Sequence, residues 1–211
     1  MDAWAHLIDA PQLLALAAAL GWASGVRLYA AVFLAGLAGH MGWIDLPQGL
    51  KVLQHPGLLA ASGFMALTEF FADKIPYVDT VWDMVHTLIR IPAGAALAAA
   101  ALGADSQTMA WIAALLGGSL AATSHTTKLT TRAAVNTSPE PFSNLALSLL
   151  EDGYVVFMLW LAAAHPVLFA VALLLTLVLA VALLAVLFKF LRAAARRLGE
   201  FFASGRASQG S

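Results

Sequence analysis

Three ionisable side chains interrupt long apolar runs: Arg27 in the first, and Glu151 with Asp152 in a later one. A charge at the centre of a membrane helix costs roughly 2.5–3.5 kcal/mol on insertion scales, so three of them demand mutual pairing or a water-filled cavity. Arg27 is expected to meet one of the two carboxylates. Two adjacent acids against one arginine leave a surplus carboxylate, which suits a bound cation or a titrating proton. The competing reading is an ion pair that only fixes packing.

Further charges recur at helical spacing. Glu69 and Asp73 lie four apart, and Asp79, Asp83, His86 and Arg90 follow at intervals of four, three and four, each set on one helical face. Oxygen and imidazole ligands in that pattern suit a divalent cation held by Asp79, Asp83 and His86, or a proton relay. An amphipathic helix showing its polar face to water has the same spacing. His125, Lys128 and Arg132 form a third stripe within the threonine-rich stretch Thr123 to Arg132. A cationic, hydroxyl-rich face suits an anion or a lipid headgroup, and it also suits a helix end that obeys the positive-inside rule. The threonines are consistent with a cavity lining, or with hydroxyls bonded to the preceding turn.

The elements that must position these groups are apolar helices. With 61% hydrophobic and 11% charged residues and a mean hydropathy of +0.83, the 211-residue chain holds more apolar surface than a soluble core can bury. A span needs roughly 20 apolar residues, and six segments fit. The first, about Pro11 to Gly39, is long enough to tilt, kink or break at Gly21, Gly25 and Arg27. His55-Pro56 opens a second, closed by Asp73-Lys74-Ile75-Pro76. Tyr77 to Arg90 then reads as an amphipathic interfacial or cavity-lining helix, with Val78, Trp82, Val85 and Ile89 opposite its charges. A short third span, Pro92 to Ala104, turns at Asp105-Ser106 into a fourth that passes through Gly117-Gly118. Ser138-Pro139-Glu140 reads as the capped start of a fifth, and His165-Pro166 as the turn into a sixth ending near Phe188. The expected fold is thus an all-α polytopic transmembrane bundle of about six spans plus one amphipathic helix. The two His-Pro openings suggest a weak internal repeat. Residues 1–198 are expected to form a single membrane domain and residues 199–211 a flexible Gly/Ser-rich tail.

Nine of the eleven basic residues fall in Lys74 to Arg90, Lys128 to Arg132 or Lys189 to Arg206. By the positive-inside rule these regions share the cytoplasmic side, which places both termini there. If the first segment is two helices, the N-terminus changes side. Met1 to Ala10 lacks a basic region, so the first hydrophobic segment is expected to remain in the mature protein. The basic tail suits anchorage to anionic lipid, and His40, His55 and His165 sit at span boundaries.

Several chemistries are excluded. There is no cysteine, and no Gly-rich phosphate loop, HExxH or GxSxG motif occurs. Ser124-His125 lacks a placed acid, and nothing suggests a nucleic-acid partner.

Gly25-Val26-Arg27-Leu28-Tyr29, Glu69 to Pro76 with Val78-Asp79 and Trp82-Asp83, and Ser138 to Asn144 with Glu151-Asp152 together resemble a bacterial membrane family, domain of unknown function 4126. The resemblance covers about Leu20 to Leu191. It implies a place in the bacterial inner membrane and supplies no catalytic residues. From the residues themselves, the expected function is a small transporter or channel for an ion or polar solute. Its pathway would be Arg27, Glu69, Asp73, His125, Lys128, Arg132, Glu151 and Asp152, in contact with the lipid bilayer, with a divalent cation as a candidate cofactor and a homo-oligomer as a candidate assembly. The alternative is a membrane-embedded enzyme, or a lipid-headgroup or metal binder, acting at the cytoplasmic surface. An open lateral site would favour that alternative, and the absence of a continuous polar cavity would favour a purely structural role.

Overall fold

The computed structural model describes residues 5–75, 77–103, 106–136 and 141–207. Within them the chain is all helix: α1 (Ala5–His40), a 3-10 helix (Gln48–Gln54), α2 (Pro56–Ala72), α3 (Val78–Leu102), α4 (Gln107–Val135), α5 (Pro141–Ala164) and α6 (Pro166–Ala207). The starts follow local chemistry. His55 caps α2, its Nδ1 accepting from the Gly57 N–H at 3.1 Å with Pro56 in the first turn, and Ser106 caps α4 by accepting from the Met109 N–H at 3.3 Å. Four helical stretches are long and apolar enough to cross a membrane: Pro11–His40, Val78–Leu102, Phe142–Ala164 and Pro166–Phe190. A multi-pass membrane protein is the consequence.

The first of these does not cross as a rod. Arg27 has non-helical dihedrals (φ −145°, ψ 76°) and splits α1 into arms 5–26 and 28–40. In a continuous helix Gln12 and Trp43 would stand roughly 46 Å apart, yet they line the same pocket. Ala23 and Ala31, equidistant from Arg27, share one buried cluster with Val26 and Val155. The chain therefore reverses at Arg27, and α1 is a helical hairpin with its tip inside the bundle. Both hairpin ends lie at one end of the molecule, the base, with the 3-10 helix, the end of α3, the start of α4 and the α5–α6 turn. The end of α2, the start of α3, the end of α4 and the start of α5 lie at the far end, toward which α6 runs.

Glycines weld the first arm to α3 and α4. A Cβ on Gly21 would stand 2.8 Å from the Gly117 Cα, and one on Gly117 would stand 2.6 Å from the Gly94 carbonyl oxygen. A Cβ on Gly25 would overlap Ser124 Oγ and the Ala121 carbonyl. Small residues four apart on each helix (Gly21 and Gly25, Gly94 and Ala98, Gly117 and Ala121) let three backbones meet without side chains between them. Around this seam Leu20, Leu28, Leu46, Leu50 and Leu97 form the largest apolar cluster, into which the 3-10 helix inserts Leu50 and Leu53.

Several expectations change. Tyr77 to Arg90 is not a separate amphipathic helix: it is continuous with the Pro92 segment as α3, with Pro92 inside. Proline removes one backbone bond, which membrane helices tolerate when neighbours compensate. The threonine-rich stretch is the second half of α4. Helix α6 continues to Ala207. Because α1 is a hairpin, its start and the end of α6 lie at opposite ends of the bundle. The Ser138-Pro139-Glu140 start lies outside the described residues, as do Asp105 and Pro76.

Candidate functional site

The hairpin tip frees carbonyls that a continuous helix would satisfy, and in hydrocarbon each must find a protein donor. The tip finds them on α3 and α4. Arg90 Nη1 donates to the Gly25 and Val26 carbonyls (3.3 and 3.2 Å), Lys128 Nζ to Val26 (3.2 Å) and Ser124 Oγ to Trp22 (2.8 Å), while His125 Nδ1 lies 3.1 Å from the Gly25 oxygen. The carbonyl end of the first arm carries the negative pole of its helix dipole, so two cations there are favourable twice over.

From those cations an ion-pair network extends toward the far end. Asp73, in the α2–α3 turn, is its hub: its Oδ2 lies 2.7 Å from Arg27 Nη1, 2.6 Å from Lys128 Nζ and 3.6 Å from Arg132 Nη2. Burial alone would raise the Asp73 pKa, but Lys128, Arg27 and Arg132 outweigh it and hold the carboxyl below the ordinary aspartate value. Asp83 pairs with Arg90 (2.9 Å) and Lys128 (3.0 Å), and Glu69 with Arg90 (2.6 Å). Arg132 reaches Glu151 at 2.7 Å and Asp79 at 3.4 Å. Asp152 joins Arg27 (2.9 Å) to Lys74 (3.3 Å). Arg27, Glu69, Asp73, Asp79, Asp83, Arg90 and Arg132 are 0–1% exposed, whereas Asp152 is 25% and Lys74 17% exposed and mark the rim.

The structure brings together all eight residues proposed as a pathway. Arg27 meets Asp152, as its position at membrane depth requires, while the adjacent Glu151 turns to Arg132. His125 joins through Thr87, whose Oγ1 lies 2.7 Å from Nε2. The metal set fares differently. Asp79 faces Arg132 and Asn136, Asp83 faces Arg90 and Lys128, and His86 Nδ1 lies 2.7 Å from the Trp82 carbonyl under the stacked Trp82 ring. Among the described residues no three His, Asp or Glu side chains are placed to hold a metal. The cationic stripe of α4 does not face an open anion site either, since Lys128 and Arg132 are buried against carboxylates. Thr123, Thr127, Thr130 and Thr131 each donate to the carbonyl four residues back.

Lys74, Arg90, Lys128 and Arg132, four of the nine residues used for topology, are network members and not loop charges, so they carry no positive-inside signal. Sequence reasoning also passed over Asn144 and Ser148. Asn144 Oδ1 accepts from Arg132 at 2.6 Å and Ser148 Oγ from Arg27 at 3.0 Å. With Glu151 they stand at intervals of four and three on α5, a polar stripe that was there to be read.

Neither the curated proteins nor the solved structures gave a match. The family model described as domain of unknown function DUF4126 matches residues 14–186, which hold both arms from Leu14 onward and every residue of the ion network, and the chain belongs to that family.

Proposed function

We propose that the protein is a small membrane transporter for an ion or small charged solute, with the network at the hairpin tip as its coupling site. The observation that carries this reading is charge balance. Six carboxylates (Glu69, Asp73, Asp79, Asp83, Glu151, Asp152) share the network with five cations (Arg27, Lys74, Arg90, Lys128, Arg132). It is neutral only with one further positive charge: a proton, on a carboxylate or on His125, or a bound cation. A network that served packing alone would be more stable matched, because an uncompensated buried charge costs several kcal/mol.

The tip supports the same reading. Broken helices whose ends meet ionisable groups inside the membrane are a recurrent architecture of transport sites. Here Arg90 and Lys128 hold both the carboxylates and the tip carbonyls, so a change of charge alters the seat of the hairpin. We place the protein in the bacterial inner membrane. Lys189, Arg192 and Arg196 on α6 favour a cytoplasmic far end, with the start of α1 then on the opposite side.

The test is flux. Protein reconstituted in liposomes with an internal pH dye is challenged with gradients of monovalent cations. Proton movement coupled to a cation is expected, and D152N, at the rim, is expected to abolish it while preserving thermal stability. A stable D152N protein with unchanged coupling, or a wild type that couples no ion to protons, would sink the proposal.

A further inference from the structure

The side chain of His125 is buried, and each of its ring nitrogens faces an oxygen. Nδ1 lies 3.1 Å from the Gly25 carbonyl at the hairpin tip, and Nε2 lies 2.7 Å from Thr87 Oγ1. A carbonyl can only accept, so its partner Nδ1 carries a proton. Thr87 has a single hydroxyl proton, which it donates to the Asp83 carbonyl one turn back in α3 at 2.9 Å. Toward the ring its oxygen is therefore an acceptor, and Nε2 carries a proton as well. A ring protonated on both nitrogens is an imidazolium, which brings the network to six positive charges against six carboxylates.

This charge is held more loosely than the other five. The charged groups that face the ring are Asp83 and Arg90 from α3 and Lys128 from its own helix, while α1 offers the Gly25 carbonyl. Arg90 Nη1 stands 3.5 Å from Nδ1, so two cations oppose the imidazolium and one carboxylate favours it. Histidine is also the side chain that ordinarily changes charge near neutral pH. The carboxylates are poorer places to trade a proton. Each has a cation 2.6–3.4 Å away, and protonating any of them strands a buried arginine or lysine.

We infer that His125 is the proton carrier of the network, that the proton it trades sits on Nε2, and that Thr87 is the positioning residue serving both charge states. The inference rests on the coupling site proposed above and names its titrating group. When the Nε2–H bond breaks, the proton goes to solvent and the electron pair stays on the ring as a lone pair. The Thr87 hydroxyl then turns from the Asp83 carbonyl to donate to Nε2. The Asp83 carbonyl keeps its ordinary partner in the helix, the backbone N–H four residues on. Nδ1–H stays on Gly25 throughout, because that carbonyl has no proton to give. Neither state leaves a ring nitrogen without a partner, and only the charge changes.

The experiment titrates full-length protein with isotope-labelled histidine in detergent and follows the imidazole nitrogens by NMR. The His125 signals are those absent from H125Q, or from H125N if H125Q fails to fold. The wild-type ring is expected to lose one proton within about pH 4–8, with Nε2 changing and Nδ1 remaining protonated. T87V removes the acceptor that the charged ring needs and should lower the midpoint by about one pH unit. T87S keeps the hydroxyl and should titrate as the wild type does. A neutral ring protonated on Nε2, a ring that does not titrate in this range, or a T87V midpoint equal to that of the wild type overturns the inference. In liposomes H125Q should lose proton coupling. If H125Q couples protons as the wild type does while D152N does not, the inference falls and the transport reading stands. If no ion couples to protons but the ring titrates through Nε2, the transport reading falls and the proton site stands.

Discussion

Lys128 is the residue whose loss the structure prices most clearly. It is 3% exposed, and its ammonium lies 2.6 Å from Asp73, 3.0 Å from Asp83, 3.9 Å from Glu151 and 3.2 Å from the Val26 carbonyl at the tip. Lys128→Met keeps the stem and removes the charge, leaving six carboxylates to four cations. Breaking a buried ion pair from one side costs about 3–5 kcal/mol. For a chain of this size each kcal/mol moves Tm by about 2–4 °C, so K128M should melt roughly 6–20 °C lower. The double variant K128M/D83N returns to a deficit of one charge and should recover about 1–3 kcal/mol, the coupling of groups in contact. The assay is thermal unfolding in one detergent, followed by circular dichroism and by retention of a monodisperse peak. A K128M protein melting within about 2 °C of wild type would refute the network as a stabilising unit, as would a double variant no better than the single.

Other predictions follow from packing and topology. Gly25→Ala forces a Cβ into Ser124 and the Ala121 carbonyl and should destabilise by about 1–3 kcal/mol in the same melting assay. Gly153→Ala, where a Cβ meets open space within α5, should stabilise by about 0.5–1 kcal/mol. The chain has no cysteine, so single cysteines at Trp43, exposed at the base, and Tyr77, exposed at the far end, report sidedness directly. A membrane-impermeant maleimide should label them from opposite sides, and an N-terminal tag should report with Trp43. A tag that reports from the side opposite Trp43 would contradict the hairpin.

The charges that interrupt apolar runs were legible because hydrocarbon makes them expensive: Arg27, Glu151 and Asp152 could be singled out by rarity alone. Helical spacing then placed Asp79, Asp83 and Arg90 on one face of α3. What spacing could not tell is what that face looks at. A polar stripe packed on Lys128 and Arg132 has the same periodicity as one in water, and so a buried half of α3 reads as an interfacial helix. Pro92 added to the error, since a proline inside a helix and one at its first turn look alike in sequence. The hairpin was hidden for another reason. Gly21 and Gly25 signalled a break, but the reversal uses one residue and no loop, and the donors that make it tolerable, Arg90, Ser124, His125 and Lys128, come from helices 65 to 102 residues away.

The network also bears on how the protein gets into the membrane. Helices α2 and α4 are not among the four stretches apolar and long enough to cross unaided, and α4 carries Lys128 and Arg132, each costly at a helix centre. Its acidic partners arrive on both sides of it in the chain: Asp73, Asp79 and Asp83 before, Glu151 after. Helix α4 is thus stable in lipid only after α3 is seated, and its far half only after α5 has been made. Synthesis order becomes part of the folding problem, and a chain stopped before Glu151 leaves Arg132 short of its closest carboxylate.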